Sequence, residues 1–183
     1  MNMKKLILLC AGVLFLAACS RDNHPENSLV KKAGAFTFML RPYSSERLAA
    51  VNYANTGLSQ ASRDSIIKEY DQFLCFVLEI SIDGFGNSIE NYSSGPAKEL
   101  SYEKRSDYYL FGMQHDLKLL ERDHETPCTI YYYERMNEIT SANRFVIGFK
   151  KGGSAETVLE YNNPCLDCGK IRFHLDNSHL AIK

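Results

Sequence analysis

The chain has 183 residues, 45% of them hydrophobic and 23% charged, with 21 Lys+Arg against 22 Asp+Glu and a formal net charge of −1. That balance argues against nucleic acid as a partner, because a duplex-binding protein neutralises several phosphates with clustered Lys and Arg. The only short basic pairs, Lys31-Lys32 and Lys150-Lys151, flank turns or linkers.

The first residues read in three parts: Lys4 and Lys5, then an apolar run over 6–16, then Ala17 and Ala18 before Cys19. This is the layout of a secretory signal, and the apolar stretch ends well short of the roughly 20 residues a spanning helix needs. Leu16-Ala17-Ala18-Cys19 resembles the lipobox of bacterial lipoproteins at all four positions. The resemblance implies thioether diacylation of Cys19, removal of residues 1–18 and acylation of the new amino terminus, so that the membrane is a partner through lipid on Cys19. Several acyl chains anchor stably where one binds only marginally. The plainer alternative is an ordinary signal peptide with a cysteine at its cleavage site. Ser20, rather than aspartate, after the cysteine resembles lipoproteins forwarded to the outer membrane of Gram-negative bacteria. The polar stretch Ser20-Arg21-Asp22-Asn23-His24-Pro25-Glu26-Asn27 resembles export tags of surface lipoproteins of the Bacteroidota; read by itself it is a flexible tether, assigned to 19–33. The expected location is the cell envelope, lipid-anchored at the outer membrane, with the face left open. Losing the signal removes Lys4 and Lys5 and no acid, leaving 19 basic residues against 22 acidic, a net of −3.

Residues 34–183 have the size of one ordinary domain of about 150 residues. Residues 35–40 open it as a strand that Pro42 stops. Ile66, Ile67, Tyr70, Phe73 and Leu74 fall at helical spacing behind Ser62, a candidate cap, and Asp64 in the first turn. Residues 76–82 then alternate as a strand whose inward set is Leu74, Phe76, Leu78, Ile80 and Ile82. Asp83-Gly84 reads as a turn, with 88–92 pairing back as a hairpin arm. The run 66–95 locally resembles the helix, strand, turn and strand of periplasmic energy-transducer C-terminal domains, but the residues beyond Gly95 do not continue that pattern and the fold reading does not rest on it. Residues 93–107 read as a long loop with a helical turn near 98–104, and 108–113 as strand. Residues 116–121, compatible with helix or strand, are assigned to a hairpin with 128–134. Strands at 144–150, 157–161 and 170–175 complete the chain. The expected class is mainly β, an antiparallel β-sandwich or open barrel with one covering α-helix.

Of six cysteines, Cys10 leaves with the signal and Cys19 is taken by lipid, which leaves Cys75, Cys128, Cys165 and Cys168. An even number in an exported domain fits disulfides in any of three connectivities. Cys75 and Cys128 pair across the core or stay as buried thiols, and Cys165-Leu166-Asp167-Cys168 closes its own loop. A thioredoxin-like use of the last pair conflicts with its context, since Gly169 and a strand come next where a helix N-terminus is needed, and Asp167 disfavours thiolate. A zinc site would need Cys75, Cys128 or His174 to complete it.

His115-Asp116 and Asp123-His124-Glu125 place two histidines with carboxylates at the ends of one proposed strand, either a site for acid-base or metal chemistry or a solvated edge and hairpin tip. No nucleophile or His-Glu-x-x-His motif accompanies them, so no catalytic or metal-binding set is assigned and no cofactor is expected. Glu79, Glu90, Glu134 and Glu138 form carboxylate pairs only where strands bring them together. Tyr131 and Tyr133, with Tyr108, are assigned to an aromatic binding surface, alternation sending Tyr132 to the other face. The expected function is a membrane-anchored, non-enzymatic binding or assembly module whose partner is another envelope protein or a glycan. The alternative is an envelope enzyme, a hydrolase or thiol oxidoreductase, using His115 and His124 or Cys165 and Cys168.

Overall fold

The computed structural model describes residues 27–53, 56–84, 86, 88–122, 124–134, 142–153, 156–176 and 179; the expected signal, Cys19, the first part of the expected tether, Asp123 and Glu138 lie outside them. Eight antiparallel strands form one nearly closed, barrel-like sheet in the order β1-β2-β3-β6-β5-β4-β7-β8. They are β1 (Leu29–Ala33), β2 (Phe36–Pro42), β3 (Phe73–Ile82), β4 (Leu117–Glu121), β5 (His124–Glu134), β6 (Ala142–Lys150), β7 (Thr157–Asn162) and β8 (Lys170–Leu175). Helices α1 (Ser45–Tyr53), α2 (Gln60–Tyr70) and α3 (Tyr102–Asp107) complete the fold with three short 3₁₀ segments and one π-helical segment. The mainly β, open-barrel expectation holds, although the described residues contain three helices and not one.

The sheet begins earlier than expected. Residues 29–33, assigned above to the tether, form β1 and pair with β2 from Leu29↔Leu40 to Ala33↔Phe36. Gly34, at φ +61°, supplies the left-handed step of a two-residue hairpin that most side chains resist. β3 carries the predicted inward set, and Leu74, Phe76, Leu78, Ile80 and Ile82 are all buried. Its first half is buried on both faces, and so Leu74-Cys75-Phe76-Val77-Leu78 reads as a continuous apolar run before alternation sets in. The second hairpin arm expected at 88–92 is a 3₁₀ turn, Ile89–Asn91. Both edges of β3 are already occupied, by β2 and β6, so no strand can pair there.

A β4–β5 hairpin is present, but its second arm is 124–127, expected as loop, in register Lys118↔Pro127 to Glu121↔His124 with Arg122 at φ +44° in the tight turn, whereas 128–134, the expected arm, pairs with β6. β5 is longer than expected because it serves two neighbours. Its first part pairs with β4 and its second with β6, and the change of partner coincides with an irregularity between Cys128 and Ile130. A bulge of this kind bends a strand and raises its twist, and Pro127, which has no donor, lies beside it.

The barrel interior is filled. Phe38, Phe76, Phe145, Phe149, Phe173, Tyr109 and Tyr161 are among its largest fully buried side chains. Each large apolar side chain contributes roughly 1.5–3 kcal/mol on burial. Tyr133 stacks on Phe145 at 4.6 Å between ring centroids and 19° between planes. With its interior occupied by side chains, the barrel is a core rather than a ligand vessel.

A second, smaller cluster of Tyr43, Leu48, Cys75, Val77 and Val146 lies apart from this core. Leu48 comes from α1, and the partly buried Tyr70 packs against the cluster from the end of α2. The cap of α2 is Ser59 rather than Ser62, its side chain accepting from the Ser62 amide at 3.2 Å. Gly148 faces Cys75 across β3 and β6, where a Cβ would meet Ile130 Cβ at 2.9 Å and Cys75 Sγ at 3.1 Å. The sheet needs glycine there for close approach. Outside, Glu79 and Glu134 are each opposite Arg144 in register. Arg144 lies 3.9 Å from Glu79 and 3.1 Å from Glu134, and Arg41 bonds Glu79 at 2.9 Å. The carboxylates therefore alternate with arginines in a cross-strand charge ladder instead of pairing with each other.

Candidate functional site

Residues 88–116 leave the sheet after β3 and return at β4, and they carry the 3₁₀ and π-helical segments of the described residues. Their apolar side chains fasten them to the barrel: Ile89, Ala97, Tyr109 and Met113 are buried. Asn143 on β6 holds the start of the crossing, its Oδ1 accepting from the Ile89 amide at 3.0 Å and the Tyr133 hydroxyl at 3.1 Å. Arg105 locks the middle. Its Nε donates to the Glu90 carbonyl at 2.7 Å, and its Nη1 donates to the Ala97 carbonyl at 3.3 Å and to the Leu100 carbonyl. The buried Glu90 carboxylate accepts from Ser88 at 2.8 Å and Ser106 at 3.4 Å.

Residues 108–113, expected as strand, are helical. Ser101 caps α3 by accepting from the Lys104 amide, and the chain then passes through a π-helical segment, Tyr108–Gly112, into a 3₁₀ turn, Met113–Asp116. Arg105, Tyr109 and Met113 fall four residues apart on one buried face. A π segment carries one extra residue per turn and is found disproportionately at functional sites. Here it accompanies Phe111, which is 68% exposed.

Phe111 does not stand alone. Tyr132 on β5 is 58% exposed, and between the two elements lies an open depression of about 500 Å³. Leu110 and Phe111 line one side, Tyr131, Tyr132 and Tyr133 the other, with Gln114 and His115 as polar contributors. The support is rigid: Gln114 Nε2 donates to the Cys128 carbonyl at 2.9 Å, and the Tyr131 hydroxyl donates to the Tyr109 carbonyl.

This arrangement redistributes the expected binding residues. Tyr131 and Tyr133 do line the depression, but Tyr133 is buried and both pack on Phe145. Tyr108 turns its hydroxyl to Asp116 at 3.0 Å and serves as a strut. The exposed rings at the depression are Phe111 and Tyr132, neither of them among the residues expected at the binding surface. The missed signals were the cap at Ser101, which starts a helix, and the parity of Tyr132, which is the solvent-facing member of its triplet.

The two histidines are not gathered. His115 lies at the depression and precedes β4, whereas His124 is exposed at the hairpin tip after it, a strand of five residues away and so roughly 17 Å distant. Glu125 pairs with Lys118 at 2.7 Å on an exposed surface. Among the described residues no three His, Cys, Asp or Glu side chains come together as a metal site.

Cys75, Cys128, Cys165 and Cys168 are all free thiols, so the expected disulfides are not present. Cys75 and Cys128 belong to different apolar clusters, because Cys75 has the opposite parity to the inward residues of β3. Cys165 is buried in the core and Cys168 only half-buried. Burial pushes Cys75 up to about 11 and Cys128 up to about 12. Burial, then the Asp116 carboxylate, pushes Cys165 up to about 11, and burial with Asp167 raises Cys168. A redox nucleophile needs its thiol shifted the other way. Burial likewise raises Tyr108, Tyr109, Tyr131 and Tyr161.

These raised groups set an alkaline limit. Between the unfolded thiol value near 8.5 and the folded values, the unfolded chain has released protons that the folded one retains, so stability falls as pH rises. The unfolding midpoint in urea should be flat from pH 7 to about 8.5 and drop progressively above it. A midpoint unchanged up to pH 11 would contradict the burial of these thiols.

No protein-family model, curated protein or solved structure matches this chain. No helix among the described residues is long and apolar enough to cross a membrane.

Proposed function

We propose that this chain is a lipid-anchored envelope protein, held by Cys19, that acts as a non-enzymatic binding or assembly module and engages another envelope protein through the depression between Phe111 and Tyr132. The observation that carries the reading is the pair of exposed aromatic rings, 68% and 58% accessible, on a frame whose other members are fixed by burial and hydrogen bonds. Large exposed rings on a rigid support are what association uses, because they bring wide contact area with few rotamers to immobilise. The lipobox-like segment accounts for the anchor, and Gln114 and His115 supply polar groups that orient a partner.

Photo-crosslinking in native membranes tests this. A photoreactive phenylalanine analogue at position 111 should give one dominant protein adduct, and Tyr132→Ala should remove it. A glycan adduct would replace the protein partner by a carbohydrate, and no adduct of either kind would sink the reading. Once that partner is purified, Phe111→Ala and Tyr132→Ala should each weaken binding about tenfold or more, as truncated aromatic anchors do. Stability should stay within about 0.5 kcal/mol, because both side chains are exposed.

A further inference from the structure

The barrel stops short of closure between its edge strands, β1 and β8, and the residues there explain why. Directly opposed residues of paired strands share a face, and Lys31 stands opposite Phe38, which is fully buried. Lys31 thus occupies a core-facing position on an edge strand and is nevertheless exposed. An ammonium group cannot be taken out of water without a partner, and an inward-pointing charge on an edge strand blocks further pairing.

The result is a cleft of about 320 Å³ lined from β1 by Lys31, Lys32 and Ala33 and from β8 by Lys170, Arg172 and His174. Four permanent cations face it. One carboxylate, Glu160, offsets them, lying 3.1 Å from Lys170 and 2.7 Å from Arg172. Burial pushes Glu160 up, but hydrogen bonds from those two side chains outweigh this and hold it below the usual carboxylate range. The cleft is basic on a mature chain whose net charge is acidic.

Its position in the chain is the second observation. β1 begins at Leu29, ten residues after Cys19, a span of at most roughly 36 Å fully extended. Lys31 and Lys32 come two and three residues later. We infer that the β1–β8 cleft docks on the anionic phospholipid headgroups of the membrane to which Cys19 is attached. The inference rests on the lipoprotein reading for the anchor. Each cation near an anionic leaflet strengthens association about fivefold within a Debye length of the surface. In the strand order, β5 stands four places from β1 and three from β8, across the barrel from the cleft. Docking by this face therefore turns Phe111 and Tyr132 away from the bilayer, toward a partner.

Amine footprinting of the full-length protein in vesicles tests the inference. In phosphatidylcholine vesicles containing phosphatidylglycerol at low salt, acetylation of Lys31, Lys32 and Lys170 should slow about fivefold or more, while the exposed Lys150, on β6, reacts as before. In pure phosphatidylcholine, or at high salt, the protection should vanish. Equal rates in both vesicles overturn the inference, and so does protection reproduced by soluble glycerol phosphate alone, which would make the cleft a small-anion site. The mass of the N-terminal peptide separates this from the anchor. An acylated Cys19 with unprotected lysines refutes the cleft only, and an unacylated chain still protected by phosphatidylglycerol vesicles supports the cleft and refutes the anchor.

Discussion

Arg105→Ala should lower the unfolding free energy by about 3 kcal/mol or more, the largest single effect expected of any polar side chain in the described structure. Arg105 is 8% exposed, and its guanidinium donates to three carbonyl oxygens, those of Glu90, Ala97 and Leu100. Alanine removes the donors: the Ala97 carbonyl keeps the Leu100 amide at 3.1 Å, but the Glu90 and Leu100 carbonyls lose the guanidinium, and losing the partner of a buried acceptor costs about 1–3 kcal/mol. For a domain whose total stability is about 5–15 kcal/mol this is a large share. Arg105→Lys should recover less than half, because a single ammonium cannot present the planar fork that reaches separate oxygens. The measurement is urea denaturation, joined to hydrogen exchange over 88–116. Faster exchange there than in β3 and β6 is expected; wild-type stability in the alanine variant would show that water replaces the guanidinium freely. The same variant should weaken partner capture at position 111, since the segment that positions Phe111 is the one Arg105 fastens.

Cys19→Ala should abolish incorporation of labelled palmitate and release the protein from the membrane pellet. A diacylglyceryl group brings two acyl chains, and each buried methylene is worth about 0.8 kcal/mol, a total no protein contact of this domain replaces. The basic cleft between β1 and β8 adds only a salt-sensitive attraction, so whatever of the Cys19→Ala chain remains on anionic membranes should wash off at high ionic strength. Palmitate labelling that survives Cys19→Ala unchanged would remove the lipoprotein reading altogether.

The two effects draw on different information. The role proposed for Cys19 comes from the sequence alone, because a processing signal is recognised as an extended local string, before any folding. That of Arg105 does not, because it depends on three carbonyl groups that lie 5, 8 and 15 residues away and meet only in the folded segment. Phe111 and Tyr132 are an intermediate case. Alternation separated Tyr132 from Tyr131 and Tyr133 but did not show which of the two faces meets solvent, and only the π-helical course of 108–112 brings Phe111 beside Tyr132.

The sequence by itself determined the features that depend on near neighbours. Period-two alternation marked the inward set of β3, a polar run before a strongly β-prone one marked a hairpin after 116–121, and the short strands at 144–150, 157–161 and 170–175 declared the mainly β class. Tertiary structure decided the rest. Residues 88–92 had strand-like composition but found both edges of β3 taken, and β-prone Tyr108 to Phe111 became helical because Tyr109 and Met113 bury together on one helical face. Residues 29–33 look like tether until β2 offers an edge, and Lys31 then holds that edge apart from β8. Strand propensity is mostly a measure of packing against partners, and a sequence read alone does not show which partners are free.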